Sequence, residues 1–341
     1  MSFDADTVYN QLRPYFQERV RRNEPLAQHC TFGVGGPADV WISLETQEEL
    51  VRLVRLCAER HWPLLTVGNS TNVLYADAGV RGIVARIVLN TYRIEDRGNG
   101  TALLVAEAGV LWPRLMRELA PLGWGGLAFG VGIPGTMGGG VFSNAGAHNQ
   151  ELGQVLEWLE VLDARGASEE EDQVTLPLIR RYLHDELDLG YRYSRFREQR
   201  WVRFDEQGHL IPAQRHMIEP PEIVMVLGIR LQHEDPEKLH VAIEQYKQYR
   251  KMTEPLQQHA GSVFKDPVDD NASHLIEQVG MKGKMHGQAQ ISERNPNYIV
   301  NLGGASASDI AALMIEAHQR VRRQFGVNLE LNVELHGEWQ P

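Results

Sequence analysis

The sequence predicts an α+β fold made of more than one packed unit, and three observations carry that prediction. At 341 residues the chain is longer than a single ordinary hydrophobic core supports. Between residues 38 and 89, short apolar runs alternate with an amphipathic stretch, the pattern of βαβ units. After "HEDPEKL" a new helical pattern opens on its own, which puts a boundary near residues 233–236.

The elements follow in order. A polar helix is expected over about residues 4–22, and "EPLAQHCTFGVGGPADVWI" then reads as an extended lead-in to a strand. In "TQEELVRLVRLCAERHWP", Leu50, Leu53, Val54 and Cys57 follow 3, 4, 7 spacing, so an amphipathic helix runs until Pro63 stops it. "PLLTVG" is a short buried strand, and "NSTNVLYADAGVRGIVARI" is a loop followed by another. "TALLVAEAGV" reads as a strand and "LWPRLMRELAPLG" as a helix with Pro113 in its first turn. "EVLDARG" and "VMVLGIRLQH" are further strands. Residues 197–221 are polar, proline-bearing and weakly periodic, and an inserted surface loop is expected there. Helices follow at 236–251 and 308–325, the second with Ser308 as N-cap, Asp309 in its first turn and Gly326 at its end. A final strand is expected from about Asn328 to His336. Alternation there puts Glu330, Asn332 and Glu334 on one face, opposite Leu329, Leu331, Val333 and Leu335.

Composition narrows the function classes. The chain is 43% hydrophobic and 23% charged, as in a globular protein, with no apolar run near the roughly 20 residues of a membrane span. The first residues lack the basic-then-apolar order of a signal peptide, so the cytoplasm is expected. Cys30 and Cys57 are the only cysteines, and the 13 histidines are scattered without ligand spacing. Neither a disulfide framework nor a metal site is expected. A net charge of −11 without a long basic run argues against duplex nucleic acid. Local amides and a few arginines still suit a small anionic ligand. A monomer is favoured over an oligomer.

Two loops stand out chemically. In "VGNSTNVL", directly after an apolar strand, Gly68 permits a tight turn. Asn69, Ser70, Thr71 and Asn72 offer hydroxyls, amides and backbone N–H groups suited to a diphosphate. Read alone, it is also compatible with an ordinary polar turn. In "GVGIPGTMGGGVFSNAGAHNQ", six of the eleven residues from 130 to 140 are glycine. Glycine is costly to order, so the backbone there must approach something closely, either another strand or a flat ligand. The stretch matches neither the P-loop nor the Rossmann fingerprint. Two such loops over 60 residues apart favour one extended ligand.

The order of motifs resembles a specific family. "TFGVGGPADVW", "VGNSTNVL", "GVRGIV", "GIPGTMGGGVFSNAGAHNQELG", "LGYRYSRF", "HAGSVFKDP", "GMKGKMHGQAQISERNPNYIVN" and "FGVNLELNVELHGE" are together similar to the UDP-N-acetylenolpyruvoylglucosamine reductases, and to their lidless subfamily. The resemblance implies an N-terminal lead-in (1–30), then an FAD-binding region of the vanillyl-alcohol-oxidase (PCMH) type over 31–233, with subdomains at about 31–88 and 89–233. A C-terminal α+β substrate domain over 234–341 follows. It implies non-covalent FAD lying on Gly68, Asn69, Ser70, Thr71 and Asn72, and on Gly132, Ile133, Pro134, Gly135, Thr136, Gly138, Gly139, Asn144, Gly146 and Ala147. NADPH is the implied co-substrate, and a UDP-sugar enolpyruvyl ether the substrate.

Reducing that alkene leaves an enolate-like carbon, which requires a cation near the carboxylate and a proton donor. The resemblance implies Arg192 for the carboxylate and Ser262 for the proton, with Tyr191, Lys265 and Gln288 binding substrate. It also implies a glutamate in an L-x-x-E-V pattern, where this chain has Asn332, a side chain without charge or a labile proton near pH 7. Glu330 and Glu334, two residues to either side, are candidate substitutes. Ser70 stands where relatives usually have glycine, and Asp266 where many have asparagine. Two rival readings are a catalytically silent flavin-binding paralogue and a flavin oxidase linked covalently through His148 or Cys30.

Overall fold

The computed structural model describes residues 3–165, 177–198, 200, 202–205, 208–211 and 216–339. Helix α1 (Ala5–Phe16) is shorter than its polar pattern suggested. Gln17 takes a positive φ of 53°, and the chain turns into strand β1 (Val20–Pro25), which pairs antiparallel with β2 (Pro37–Leu44). Only Val20 and Glu24 of β1 are buried, so it shows no alternating apolar signal. Helix α2 (Gln47–Arg60) follows the expectation: Thr46 caps it, and Leu50, Leu53, Val54 and Cys57 are buried. Burying each leucine contributes roughly 1.5–3 kcal/mol.

Strands β3 (Leu64–Val67), β4 (Val73–Tyr75) and β5 (Val80–Ile87) come next. β5 lies parallel between β2 and β3, completing the βαβ unit. Strands β6 (Tyr92–Gly98) and β7 (Thr101–Glu107) start a second, antiparallel sheet with Glu222–His233, Leu156–Asp163 and Leu178–Leu183. Helices α3 (Trp112–Leu119) and α4 (Met137–Phe142) follow β7. One core runs through both sheets and these helices.

The expected surface loop at 197–221 is corrected. Residues 199, 201, 206, 207 and 212–215 lie outside the described residues. The short helix α5 (Arg195–Glu198) buries Arg197, and Ile218–Glu219 extends the first sheet parallel to β3. Part of the polarity that suggested solvent is turned inward: Arg200 pairs with Glu334, and Arg197 donates to the Leu331 and Asn332 carbonyls.

Helix α6 (Pro236–Thr253) is longer than expected, and its buried Ile243 joins the first core. A separate core gathers helices α7 (Ala272–Gln278) and α8 (Ala307–Phe325) with the strands Ala289–Ile291 and Ile299–Asn301. The N-cap of α8 is Ser306, not Ser308: Ser306 Oγ accepts from Asp309 N while Asp309 caps back. Ser308 instead donates its hydroxyl to Asp77 at 2.6 Å. Gly326 closes α8 in the left-handed region as expected. The final strand spans only Glu334–His336 and pairs parallel with β4. That pairing returns the chain end to the polar loop after β3.

Candidate active site

Between the two sheets and the C-terminal core lies a cleft of about 570 Å³. Both singled-out loops line it, 68–72 on one side and 132–136 with Gly138 and Gly139 on the other. They are tied together: Asn69 donates to the Pro134 carbonyl at 2.9 Å, and Arg86 holds Asn69 Oδ1 at 2.6 Å. A Cβ on Gly68 would sit 2.6 Å from Thr136 Oγ1, so that glycine lets the loops touch.

The remaining glycines divide by what their bare face meets. A Cβ on Gly130 would come within 1.8 Å of Trp112, and one on Gly138 within 2.8 Å of the Ala108 Cβ. Those two serve internal packing. Gly132 has a φ of +80°. Gly135 is a buried cleft-lining residue, and a Cβ there would meet Thr71 Oγ1 at 3.4 Å and Ile133 Cγ2 at 3.8 Å, ordinary contact distances, so the fold itself does not require a glycine at this point. A main-chain floor between two polar loops fits a flat dinucleotide such as FAD.

Ser70 and Asn72 line the cleft too, but their side chains are engaged within the fold. Ser70 is buried with a φ of 47°, and its hydroxyl pairs with Tyr75 at 2.8 Å, so its side chain faces inward. Asn72 donates to the Asn332 carbonyl at 2.8 Å. Asn144 is buried off the cleft, donating to Glu151 and to the Gly190 carbonyl while accepting from Gly153 N. It pins the turn that presents Arg192. Gly146 lines the cleft and Ala147 does not.

Arg192, with a φ of 51°, faces the cleft and donates to the Gly146 carbonyl at 2.8 Å. Ser262, Asn332 and Glu334 line the same cleft although they arrive from separate stretches. Asn332 Nδ2 donates to the Ser262 carbonyl at 2.9 Å, while Asn332 N donates to the Val263 carbonyl at 2.7 Å. The structure does not bring Tyr191, Lys265 or Gln288 to the cleft. Tyr191 is half-exposed with its hydroxyl toward Asp266 at 3.4 Å. Lys265 is buried against Glu330 at 3.2 Å, and burial, with the Arg197 charge, lowers its pKa. Gln288 sits exposed on the turn before Ala289–Ile291. Cys30 and His148 are also off the cleft: Cys30 points at the Val34 carbonyl, and His148 stacks on Tyr246. Neither supports a covalent flavin link.

Of the two carboxylates flanking Asn332, Glu330 is exposed and Glu334 is the one in the cleft. Burial alone would raise the Glu334 pKa, but Arg200 at 2.8 Å, His336 at 3.2 Å and the nearby Arg197 hold it at about 2. Glu334 is therefore a fixed anion, not an acid. Arg197 reaches the Leu331 and Asn332 carbonyls at 3.1 and 2.5 Å and Asn332 Oδ1 at 3.5 Å. Arg200 and Arg197 escaped sequence reasoning because their segment has no apolar periodicity. Arg250, Glu254, His259 and Tyr298 line the cleft as well. Only the i, i+4 spacing of Arg250 and Glu254 hinted at a pair, and any exposed helix shows such spacings.

Residues 252–336 match the model for the UDP-N-acetylenolpyruvoylglucosamine reductase C-terminal domain, and residues 38–170 match an FAD binding domain. The chain is 36% identical over 326 residues to UDP-N-acetylenolpyruvoylglucosamine reductase 2 of Symbiobacterium thermophilum, covering 95% of this chain and 94% of that protein. It belongs to the UDP-N-acetylenolpyruvoylglucosamine reductase family. The family protein of Desulfosudis oleivorans is also 36% identical, over 332 residues, covering 96% of this chain and 97% of that one. The crystal structure of the family reductase from Thermus caldophilus aligns with a TM-score of 0.71 at 32% identity, over 93% of this chain and 98% of that chain. The expected fold class holds: α+β, with an FAD binding domain and a C-terminal domain of the reductase family. The chain is a flavoprotein oxidoreductase of that family. Among the described residues no helix is long and apolar enough to cross a membrane.

Proposed function

We propose that this protein reduces the enolpyruvyl ether of UDP-N-acetylglucosamine to UDP-N-acetylmuramate, using NADPH and non-covalent FAD. This is a step of peptidoglycan precursor synthesis in the cytoplasm. One observation supports the reading above the rest: the two glycine-bearing loops, Arg192 and Ser262, distant in sequence, face one cleft.

When bound, FAD carries two electrons from NADPH to the alkene. The chain's own residues supply the rest. Loops 68–72 and 132–136 hold the dinucleotide, with Gly135 part of the cleft lining. Arg192 is aimed into the cleft by Gly146 and pairs with the substrate carboxylate, opposing the negative charge that grows as the alkene is reduced. Ser262 gives its hydroxyl proton to the carbanionic carbon. Asn332 holds the Ser262 main chain in place as a neutral hydrogen-bonding residue.

The purified protein should be yellow, or become so after soaking in FAD, and acid precipitation should release the colour. Anaerobic NADPH should bleach it, and the enolpyruvyl nucleotide should restore the absorbance. A protein that stays colourless in FAD refutes the cofactor, and one that stays bleached with substrate refutes the reaction.

A further inference from the structure

A serine hydroxyl is a weak acid, and after giving up its proton Ser262 has to be reloaded. The carboxyl group expected at position 332 is absent, and Glu334 is held ionised by Arg200. Lys265 lies off the cleft against Glu330. A different pair of acidic groups, Tyr298 and Glu254, lines the same cleft as the serine. Three hydrogen bonds lock the segment before Tyr298 onto the segment after Ser262: Val263 N to the Asn297 carbonyl at 2.8 Å, Phe264 N to Asn297 Oδ1 at 2.9 Å, and Asn297 Nδ2 to the Phe264 carbonyl at 2.9 Å. Tyr298 is thereby buried on the cleft wall beside Ser262. Its hydroxyl donates to Glu254 Oε1 at 3.3 Å, and Glu254 meets Arg250 at 3.0 Å.

We propose that Tyr298 and Glu254 form a proton relay that reloads Ser262, an assignment that rests on the reductase reading. The Ser262 O–H bond breaks as the C–H bond forms at the substrate carbanion. The Tyr298 hydroxyl then passes its proton to the serine alkoxide, and the Glu254 carboxyl passes its own to the tyrosinate. One proton reaches carbon, one leaves Glu254, and water at the cleft mouth restores it; no electrons move in these steps.

The electrostatics suit this order. Burial raises the Glu254 pKa above the ordinary carboxylate range, although Arg250 and Tyr298 oppose the rise. Burial and Glu254 push Tyr298 up to about 12, while the neighbouring Ser262 hydroxyl and the charge of Arg250 favour its ionised form. His259 lies edge-on to the Tyr298 ring at 5.0 Å between centroids. Its Nδ1 accepts from Gly261 N at 3.0 Å, and burial with Arg250 lowers its pKa, so it remains a neutral bystander.

The test uses Tyr298→Phe and Glu254→Gln in the FAD-loaded protein, with the two half-reactions followed separately by anaerobic stopped flow. NADPH bleaching should stay within about twofold of wild type. Reoxidation by the enolpyruvyl nucleotide should slow about tenfold to a hundredfold, below the full 10²–10⁴ of a lost general acid because Ser262 remains. The solvent deuterium isotope effect on reoxidation should rise. Independently of turnover, 13C-tyrosine NMR titration should show Tyr298, assigned by its absence in Tyr298→Phe, ionising at lower pH in Glu254→Gln and at higher pH in Ser262→Ala. Unchanged reoxidation in both variants, equal slowing of both half-reactions, or a Tyr298 titration indifferent to both partners overturns the relay. If wild type is bleached by NADPH yet never reoxidised by substrate, the reductase reading itself falls and takes the relay with it.

Discussion

Replacing Arg200 with methionine tests whether the cleft wall depends on a buried ion pair. The Arg200 and Glu334 side chains are only 8% and 12% exposed and meet at 2.8 Å. Arg200 also donates to the Thr66 carbonyl at 3.3 Å, tying β3 to the last strand. The drop in the Glu334 pKa from 4.5 to about 2 corresponds to about 3 kcal/mol in favour of the ionised carboxylate. Because the folded pKa lies below the unfolded one, that stability is present above about pH 4.5 and disappears as the pH falls toward 2. Arg200→Met leaves Glu334 with His336 and the more distant Arg197, and burial then dominates. A carboxylate left without its partner costs about 3–5 kcal/mol at pH 7.5. In the variant the folded pKa is pushed above the unfolded value, so the penalty shrinks as acidification protonates Glu334. Guanidinium unfolding at pH 7.5 and pH 4.5 measures both effects. Arg200→Met/Glu334→Gln should recover much of the loss, because a neutral amide carries no uncompensated charge. A single variant within about 1 kcal/mol of wild type, or a double variant no better than the single, would refute this account.

Ser262→Ala should leave NADPH bleaching intact while slowing substrate-driven reoxidation by about 10²–10⁴, read in single-turnover stopped flow. Arg192→Lys keeps the charge but loses the planar fork, and kcat/KM for the enolpyruvyl substrate should fall about tenfold or more at unchanged flavin content. Gly138→Ala forces a Cβ to within 2.8 Å of Ala108 and should destabilise the apoprotein by about 1–3 kcal/mol in denaturant titration. Gly135→Ala has room within the fold, so apoprotein stability should hold while FAD affinity, followed by flavin fluorescence quenching, drops about tenfold or more.

Much of the fold was legible because its signals are local. The 3, 4, 7 spacing of Leu50, Leu53, Val54 and Cys57 marks the buried face of α2 on any backbone that is helical there. The glycine-dense stretch likewise announced close approach, met at Gly130 and Gly138, and the motif order brought Arg192 and Ser262 into view as a pair. Sequence alone therefore determined the α+β class, the two cleft-forming loops and two of the groups that face the cleft. What each bare or polar residue meets was a different matter. Gly138 faces Ala108 while Gly135 has room for a side chain, and Ser70 turns inward to Tyr75. Only the tertiary structure decided that Glu334, not Glu330, enters the cleft beside Arg200, and that Tyr298 and Glu254 stand behind Ser262. These contacts close over separations of 44 to 134 residues. Local periodicity carries no information about such pairings; they are fixed when β4 pairs with Glu334–His336 and when Asn297 locks onto Phe264.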